Sequence, residues 1–304
     1  MTHVATLISN PATSAIDGRM AARVQTELPG ALGVTWLDPG IAADIVFSPA
    51  SSDDNRAMNR TLLATLRDVI GKAPIDVAIQ PAVARRKRLL LADMDSTMIG
   101  QECIDELADH VGLKTHVAAI TERAMRGEIA FVPALRERVA LLKGLPASIV
   151  DDVIRDRITI TDGARTLIAT MRAHGAYTCL VSGGFKHFTD RIAAMIGFDE
   201  NRSNRLLVGN DGRLTGEVGE PVFGSADKLA ALVELRERKG LRPGGVIAVG
   251  DGANDLPMLE AAGLGVAYDG KPVVAAAADV RIDHSDLTAL LYLQGYRREE
   301  FVSA

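Results

Sequence analysis

The chain has 304 residues, of which 47% are hydrophobic and 24% are charged, and this balance excludes a disordered or fibrous protein. Its net charge of −5 is opposite in sign to that of a general nucleic-acid-binding protein. The two cysteines are far apart and lack metal-ligand spacing, so neither a disulfide framework nor a zinc site is indicated. The length suggests two domains.

The chain shows no targeting or membrane signal. Residues 1–5 lack the basic segment and apolar core of a signal peptide, and no apolar run approaches the roughly 18 residues that span a bilayer. We therefore expect a cytoplasmic protein that binds neither a membrane nor nucleic acid. The basic run Arg85–Arg88 is expected to be a solvated linker.

The first 84 residues alternate between short strands and helices. The predicted order is βαββαβ, with elements at residues 4–8, 15–28, 34–37, 44–47, 58–70 and 77–79. This order matches a ferredoxin-like sandwich of two helices on an antiparallel sheet. Small ACT-type amino-acid-sensing domains are built this way, so we expect an ACT-like domain over residues 1–84. Such domains often pair edge to edge, which makes a homodimer the expected assembly.

From residue 85 to residue 304 the pattern changes to buried strands that run into turns rich in glycine and aspartate. These strands are predicted at residues 88–94, 178–181, 245–249 and 264–267. Because they are apolar throughout, they are typical of the central parallel strands of a doubly wound, Rossmann-like α/β domain. Ligands of such domains bind at the carboxyl ends of the strands.

Two insertions interrupt this α/β pattern. The first, at about residues 102–160, holds helical segments at 102–111, 115–126, 133–142 and 147–157 and no strand pattern. It predicts a helical-bundle cap over the sheet. The second, at residues 206–218, predicts a β-hairpin around the turn 209–212.

Acidic residues follow two of the predicted strands. Asp93 and Asp95 follow the first strand, where two carboxylates at i and i+2 can meet one metal ion and one phosphate. Asp251 and Asp255 follow the strand at 245–249 and face the same crevice if the two strands are neighbours. Hard oxygen ligands from two such loops suit Mg²⁺. The alternatives are that Asp93 and Asp95 are ordinary surface carboxylates without a function and that Asp255 is a helix N-cap.

A second group of residues supplies candidate phosphate contacts. Ser182, Gly183 and Gly184 precede a predicted helix, so a hydroxyl and backbone N–H groups can cradle a phosphate there, although this tripeptide is also an ordinary turn. Lys228 lies in the first turn of a helix that begins at Ser225, where the helix dipole disfavours a cation. Neutralising a phosphate explains that placement better than a solvated lysine does.

One further glycine-rich run resembles a nucleotide-binding loop. Residues 265–270 are followed by Lys271, as in a P-loop, but Pro272 stands where a Ser or Thr would ligate Mg²⁺. We therefore reject an NTPase function for this run.

In their order along the chain, these motifs resemble those of the haloacid dehalogenase-like phosphohydrolase superfamily. The motifs are Asp93-Met94-Asp95-Ser96-Thr97, Ser182-Gly183-Gly184, Lys228 and Gly250-Asp251-Gly252-Ala253-Asn254-Asp255. Over roughly residues 88–282 the chain also resembles the phosphoserine phosphatase branch of that superfamily. The residues that carry this closer resemblance are Glu102, Ala124-Met125-Arg126-Gly127, Phe131 and Leu135-Arg136-Glu137-Arg138-Val139.

The resemblance implies an enzyme with Mg²⁺ as its cofactor, which hydrolyses O-phospho-L-serine in the last step of serine biosynthesis. Asp93 would be the nucleophile that forms an aspartyl-phosphate, and Asp95 would be the general acid and then the general base. Mg²⁺ would be held by Asp93, Asp251 and the backbone carbonyl of Asp95. Asp255 would support these ligands from behind.

The resemblance also implies how the substrate is recognised. The phosphate contacts would be Ser182, Gly183, Gly184, Lys228 and Asn254. Glu102 would pair with the substrate ammonium and Arg138 with its carboxylate, although a surface salt bridge is the alternative for Arg138. Met125 and Phe131 would close apolar surface over the site, and a place in the core of the cap explains them equally well.

Two other functions are open at this point. A related phosphotransferase would pass the phosphate of phosphoserine to another alcohol, and product analysis with added homoserine distinguishes it from a hydrolase. A serine-sensing regulatory module, with the first domain as its working part, would be indicated by a broken catalytic set. Here the set is complete.

Overall fold

A computed structural model describes residues 2–49, 55–125 and 128–303, and for residues 55–58, 122, 124 and 125 it describes the backbone alone. It contains a four-stranded sheet, a six-stranded sheet and a two-stranded hairpin. Within those ranges no helix has both the length and the hydropathy needed to cross a bilayer.

The first sheet is formed by residues 3–81. Its strands are β1 (His3–Ser9), β2 (Val34–Asp38), β3 (Ala42–Phe47) and β4 (Ile75–Pro81). Neighbours are antiparallel in the order β2-β3-β1-β4, and the helices α1 (Gly18–Glu27) and α2 (Asn55–Ile70) cover one face. Helix α1 begins where the side chain of Asp17 accepts a hydrogen bond from the N–H of Met20. This arrangement confirms the predicted ferredoxin-like fold.

The second sheet is parallel throughout. Its strands are β5 (Leu89–Ala92), β6 (Tyr177–Phe185), β7 (Glu200–Asn204), β10 (Val246–Gly250), β11 (Leu264–Tyr268) and β12 (Val280–Ile282). Their order is β12-β11-β10-β5-β6-β7. Leu90 and Ala92 face one side of the sheet and Leu89 and Leu91 the other, and both sides are covered by apolar side chains. Burial on both faces explains why these strands are apolar throughout, and it confirms the predicted doubly wound fold.

Helices cover both faces of the second sheet. One face packs against α7 (Ala164–Ala173), α8 (Lys186–Ile196) and α12 (Ala289–Leu293). The other packs against α9 (Ser225–Arg238), α10 (Leu256–Ala261) and α11 (Pro272–Ala277). The helices α9 and α10 begin at the carboxyl edge of the sheet, where the candidate site residues lie.

The cap is inserted between β5 and α7. Its helices are α3 (Cys103–His110), α4 (Lys114–Met125), α5 (Phe131–Ala140) and α6 (Ile149–Arg157), which confirms the four predicted helical segments to within two residues at every end. The two connections to the core pair with each other at Ile99 and Ile160. The predicted hairpin is formed by β8 (Leu206–Val208) and β9 (Leu214–Val218). It is bonded to the loop between α5 and α6 by two hydrogen bonds of 2.8 Å. The N–H of Gly144 donates to the carbonyl of Leu214, and the N–H of Leu214 donates to the carbonyl of Leu145.

The face of the first sheet that α1 and α2 leave open packs against the second unit. Ile8 and Ala78 belong to the same apolar cluster as α12. The carboxylate of Asp76 accepts hydrogen bonds from three consecutive backbone N–H groups, those of residues 283–285, at 2.9 to 3.1 Å. The hydroxyl of Tyr292 donates to Asp38 at 2.7 Å. The open face of the first sheet therefore belongs to the same apolar cluster as one face of the second sheet, while the face under α1 and α2 has a cluster of its own.

The expectation of a solvated linker at Arg85–Arg88 is wrong for two of its residues. The side chain of Arg85 is only 11% exposed, pairs with the buried Asp44 and donates to the carbonyl oxygens of residues 292 and 293. Lys87 is buried and donates to the carbonyl of Gly244 at 2.9 Å. These cations are buried because their partners come from distant parts of the chain that close over them.

Replacing Arg85 by Ala is expected to lower the free energy of unfolding by about 2–4 kcal/mol, because it leaves the carboxylate of Asp44 buried and unpaired. The matched control is Arg86→Ala, since the side chain of Arg86 is 44% exposed and pairs with Glu300 at the surface. That control should cost less than about 1 kcal/mol. Urea unfolding of both variants measures the difference, and equal losses would contradict the proposed role of the buried pair.

Candidate active site

The register of the parallel sheet brings the predicted site residues together. Ala92 pairs with Val249 on one side and with Leu180 on the other. The residues that follow these three therefore lie at the same edge of the sheet, where β5 and β10 end and β6 extends a few residues further. The N–H of Asp93 donates to the carbonyl of Val249 at 3.0 Å, which fixes the first loop against the strand that leads to Asp251.

A buried ammonium group lies at the centre of this edge. Lys228 is 0% exposed, and its Nζ is 2.7 Å from Asp93 Oδ1 and 2.8 Å from Asp255 Oδ1. Burial lowers the pKa of Lys228, but the two carboxylates outweigh that effect, so the pKa is raised and the lysine stays charged. Two carboxylate partners thus account for a cation in the first turn of α9, where the helix dipole disfavours it.

The loop after β5 holds Asp95 beside the predicted phosphate cradle. Asp95 Oδ1 accepts a hydrogen bond from the N–H of Cys103 at 2.9 Å, and Oδ2 accepts one from the hydroxyl of Ser182 at 3.2 Å. The next residue, Ser96, has a φ of +54°, and this left-handed conformation turns the chain toward the cap. Burial and, to a lesser extent, the charge of Glu102 raise the pKa of Asp95 to about 6.

The segment Ser182–Gly184 belongs to strand β6 and is not the turn that the sequence suggested. Strand β6 continues to Phe185, and its pairing with β7 shifts register between Val181 and Phe185. The hydroxyl of Ser182 accepts a hydrogen bond from the N–H of Gly184 at 2.8 Å. A Cβ atom at Gly184 would lie 3.0 Å from that hydroxyl and 3.1 Å from Asp95 Oδ2, so a side chain there would crowd the cradle.

Three carboxylates at this edge can hold a metal ion. Oxygen atoms of Asp93, Asp251 and Asp255 all lie within 4.8 Å of one another, and all three residues are buried. Burial, followed by the charge of Asp255, raises the pKa of Asp93 well above its usual range despite the nearby Lys228. One ammonium group therefore does not balance the cluster. A hard divalent cation fits this donor set in both ligand type and charge.

The cap closes over the cluster and leaves a cavity of about 140 Å³. Glu102 and Arg138 line it from the cap side. Glu102 accepts a hydrogen bond from the hydroxyl of Ser96 at 2.8 Å. Among the described residues, the hydrogen bonds of the Arg138 guanidinium are long, 3.4 Å to Thr121 and 3.3 Å to the carbonyl of Ala134, and the charges of Asp105 and Glu102 attract it without a direct ion pair. The guanidinium of Arg138 is therefore weakly held and open to a stronger anionic partner.

Phe131 lies at the seam between the cap and the core. It is 41% exposed, and its ring packs over two core glycines: a Cβ atom would lie 3.5 Å from the ring at Gly183 and 3.4 Å from it at Gly224. Its position over the cavity does not match a residue of the cap's own core. The side chain of Met125, the other predicted closing residue, lies outside the described part of the structure.

Most of the predicted residues converge on the cavity. Those that line it are Asp93, Asp95, Glu102, Phe131, Arg138, Gly183, Gly184, Asp251 and Asn254. Three further predicted residues are buried directly behind the lining. Ser182 contacts Asp95, Lys228 contacts Asp93, and Asp255 contacts Lys228.

Sequence reasoning missed one charged lining residue, Lys271. Its Nζ lies 3.2 Å from Asp251 Oδ2, and its backbone N–H donates to the carbonyl of Asp251 at 2.9 Å. The signal was present in the sequence, because Lys271 follows a buried strand and a glycine.

Comparisons with known proteins agree with this geometry. The family model of the haloacid dehalogenase-like hydrolases matches residues 90–260. A phosphoserine phosphatase of Streptomyces coelicolor is 39% identical over 303 residues, which cover 98% of this chain and 72% of that protein. A phosphoserine phosphatase of Archaeoglobus fulgidus is 42% identical over 227 residues, which cover 74% of this chain but only 65% of that protein. The crystal structure of a haloacid dehalogenase-family hydrolase from Salmonella enterica has a TM-score of 0.83 at 32% identity, over 96% of this chain and 98% of that one.

Replacing Lys228 by Met is expected to lower the free energy of unfolding of the metal-free protein by about 3 kcal/mol or more, because it leaves two buried carboxylates without their shared cation. Lys239→Met is the control: this lysine follows the same helix, is exposed, and contacts the ring of Tyr177 at 3.6 Å. Its loss should cost less than about 1 kcal/mol. Denaturant unfolding checks both values, and an equally small loss for Lys228→Met would show that the buried bridge is not stabilising.

Proposed function

The chain belongs to the haloacid dehalogenase-like hydrolases and, within them, to the phosphoserine phosphatases, and from this premise we propose that it hydrolyses O-phospho-L-serine to L-serine and phosphate. One observation carries the proposal: Asp93 and Asp95 meet Lys228 and Ser182 at one edge of the sheet, beneath a cap that presents a carboxylate and a guanidinium to the same cavity.

Asp93 is the nucleophile in this proposal. Its carboxylate attacks phosphorus, the bond between phosphorus and the seryl oxygen breaks, and an aspartyl-phosphate forms. Lys228 and the N–H of Met94, both 2.7 Å from Asp93 Oδ1, hold the carboxylate in place. Each unit-charge repulsion between this carboxylate and the phosphate costs about 4 kcal/mol at 4 Å and an effective dielectric of 20, so positive charge at the site is essential.

Asp95 transfers the protons. With a pKa raised to about 6, the carboxyl group is available in both protonation states near neutral pH. Its proton goes to the departing seryl oxygen. The resulting carboxylate then takes a proton from the water that attacks the aspartyl-phosphate, and phosphate is released. The hydrogen bond from the N–H of Cys103 to Oδ1 keeps the group in position for both steps.

We propose that the metal ion is Mg²⁺, held by Asp93, Asp251 and the backbone carbonyl of Asp95 and supported by Asp255. When bound, it neutralises phosphate charge and stabilises the charge that develops on the equatorial oxygens. The backbone N–H of Gly183 and the side chain of Asn254 contribute hydrogen bonds to the same phosphate. The hydroxyl of Ser182 and the N–H of Gly184 also donate to it once they exchange their partners in the free protein, Asp95 Oδ2 and Ser182 Oγ, for phosphate oxygens.

The cap selects serine. The carboxylate of Glu102 pairs with the substrate ammonium, and the weakly held guanidinium of Arg138 binds the substrate carboxylate through two parallel hydrogen bonds. Phe131 shields the reacting groups from water. A phosphomonoester that lacks the amino acid portion gains nothing from these contacts.

Asp93→Asn is expected to abolish phosphoenzyme formation and to reduce kcat by at least about 10⁴-fold, because an amide is not a nucleophile toward phosphorus. Acid-quenched incubation with phosphoserine that carries a radiolabelled phosphate measures the covalent species. The wild-type chain, run in parallel, should give label that is stable in acid and released by base. Wild-type levels of label in the variant would eliminate Asp93 as the nucleophile.

Glu102→Gln is expected to lower kcat/KM for phosphoserine by about 10- to 100-fold, the value of a charged hydrogen bond, and to change kcat/KM for p-nitrophenyl phosphate by less than about twofold. Glu106→Gln is the matched control, because Glu106 lies one turn further along the same helix and pairs with Arg157. An unchanged preference between the two substrates would show that Glu102 does not recognise the ammonium group.

A further inference from the structure

Lys271 lines the cavity but takes no part in the proposed mechanism. It precedes α11, on the loop that leaves the carboxyl end of β11. Its side chain is 50% exposed, whereas that of its partner Asp251 is 7% exposed. The ammonium group therefore reaches inward from the surface to a carboxylate at the floor of the cavity.

The carboxylates of the cluster are unequally supplied with cations. Asp93 and Asp255 share Lys228, whose side chain is 1% exposed. Moving the ammonium of Lys228 away would leave two buried carboxylates unpaired. Asp251 pairs instead with Lys271, whose flexible four-carbon stem allows the ammonium to move into water at little cost. Among the residues that the structure describes, Asp251 is thus the one member of the cluster whose ion-pair partner can be displaced.

We propose that Lys271 is the exchangeable counter-cation of Asp251 and that an incoming Mg²⁺ displaces it, so that Lys271 sets the metal affinity of the site. In the metal-free protein the ammonium reduces the repulsion among the carboxylates. It also competes for the oxygen atom that the metal needs and repels the approaching cation, and both effects weaken metal binding. This inference rests on the metal site of the proposed function.

The test is the affinity for Mg²⁺, measured by isothermal titration calorimetry on the metal-stripped, full-length chain without substrate. Lys271→Met is expected to tighten the dissociation constant by about three- to tenfold, in line with the loss of one half-exposed ion pair. Lys271→Gln should do the same, and Lys271→Arg should retain the wild-type affinity. The backbone contact with Asp251 is unaffected by these changes, and the difference should shrink at high ionic strength.

Lys186→Met is the matched control, because this lysine is 49% exposed and pairs with Asp190 on the surface of α8. It should leave the affinity for Mg²⁺ unchanged. An unchanged or weaker affinity in folded Lys271→Met and Lys271→Gln would overturn the inference, and intact phosphoserine hydrolysis in the wild type would then leave the proposed function standing. If these variants bind Mg²⁺ more tightly but the wild type does not hydrolyse phosphoserine, the inference about Lys271 is upheld and the proposal that phosphoserine is the substrate is refuted. No binding of Mg²⁺ to the wild type would refute both.

Discussion

The buried ammonium of Lys228 is the interaction on which the candidate active site depends. Three carboxylates within 4.8 Å of one another would repel strongly or take up protons if they were buried alone. Lys228 connects two of them, Asp93 at 2.7 Å and Asp255 at 2.8 Å, and thereby orients Asp93 at the floor of the cavity and opposes the rise in its pKa that burial causes. The remaining negative charge is what a divalent cation can balance, so the same arrangement explains both the stability of the cluster and its capacity for metal.

The position of Lys228 depends in turn on the register of the parallel sheet and on what supports that sheet. The loops after β5 and β10 converge because these two strands end at the same level, and β6 extends past that level and brings Ser182 to the same edge. Behind them, α12 packs against both the sheet and the first unit, whose carboxylates Asp38, Asp44 and Asp76 bind groups of the second unit. The cap is attached at a paired connection and at the hairpin. The sheet edge is thus a floor that is supported from behind, and the proposed specificity for serine lies in the cap above it.

Most of the fold and the catalytic floor could be predicted from the sequence because the signals are local. Apolar strands, glycine-rich turns and helical spacing each extend over a few residues. Strand β7 could not be predicted, since all five residues from Glu200 to Asn204 are polar and side-chain bonds hold this edge strand, such as that from Asn204 to the carbonyl of Gly183. The burial of Arg85 was missed because its partner Asp44 is 41 positions away. Lys271 was missed because its contact with Asp251 requires that β10 and β11 be neighbours.

The central claim is that this sheet edge, with metal bound, hydrolyses phosphoserine selectively. The most direct measurement is phosphate release from O-phospho-L-serine by the metal-stripped chain, with and without added Mg²⁺, beside a panel of sugar phosphates and nucleotides. The account predicts release that requires Mg²⁺ and strongly favours phosphoserine. Release that favours another member of the panel would contradict the assignment of Glu102 and Arg138, and no release from any substrate in the presence of Mg²⁺ would contradict the claim as a whole.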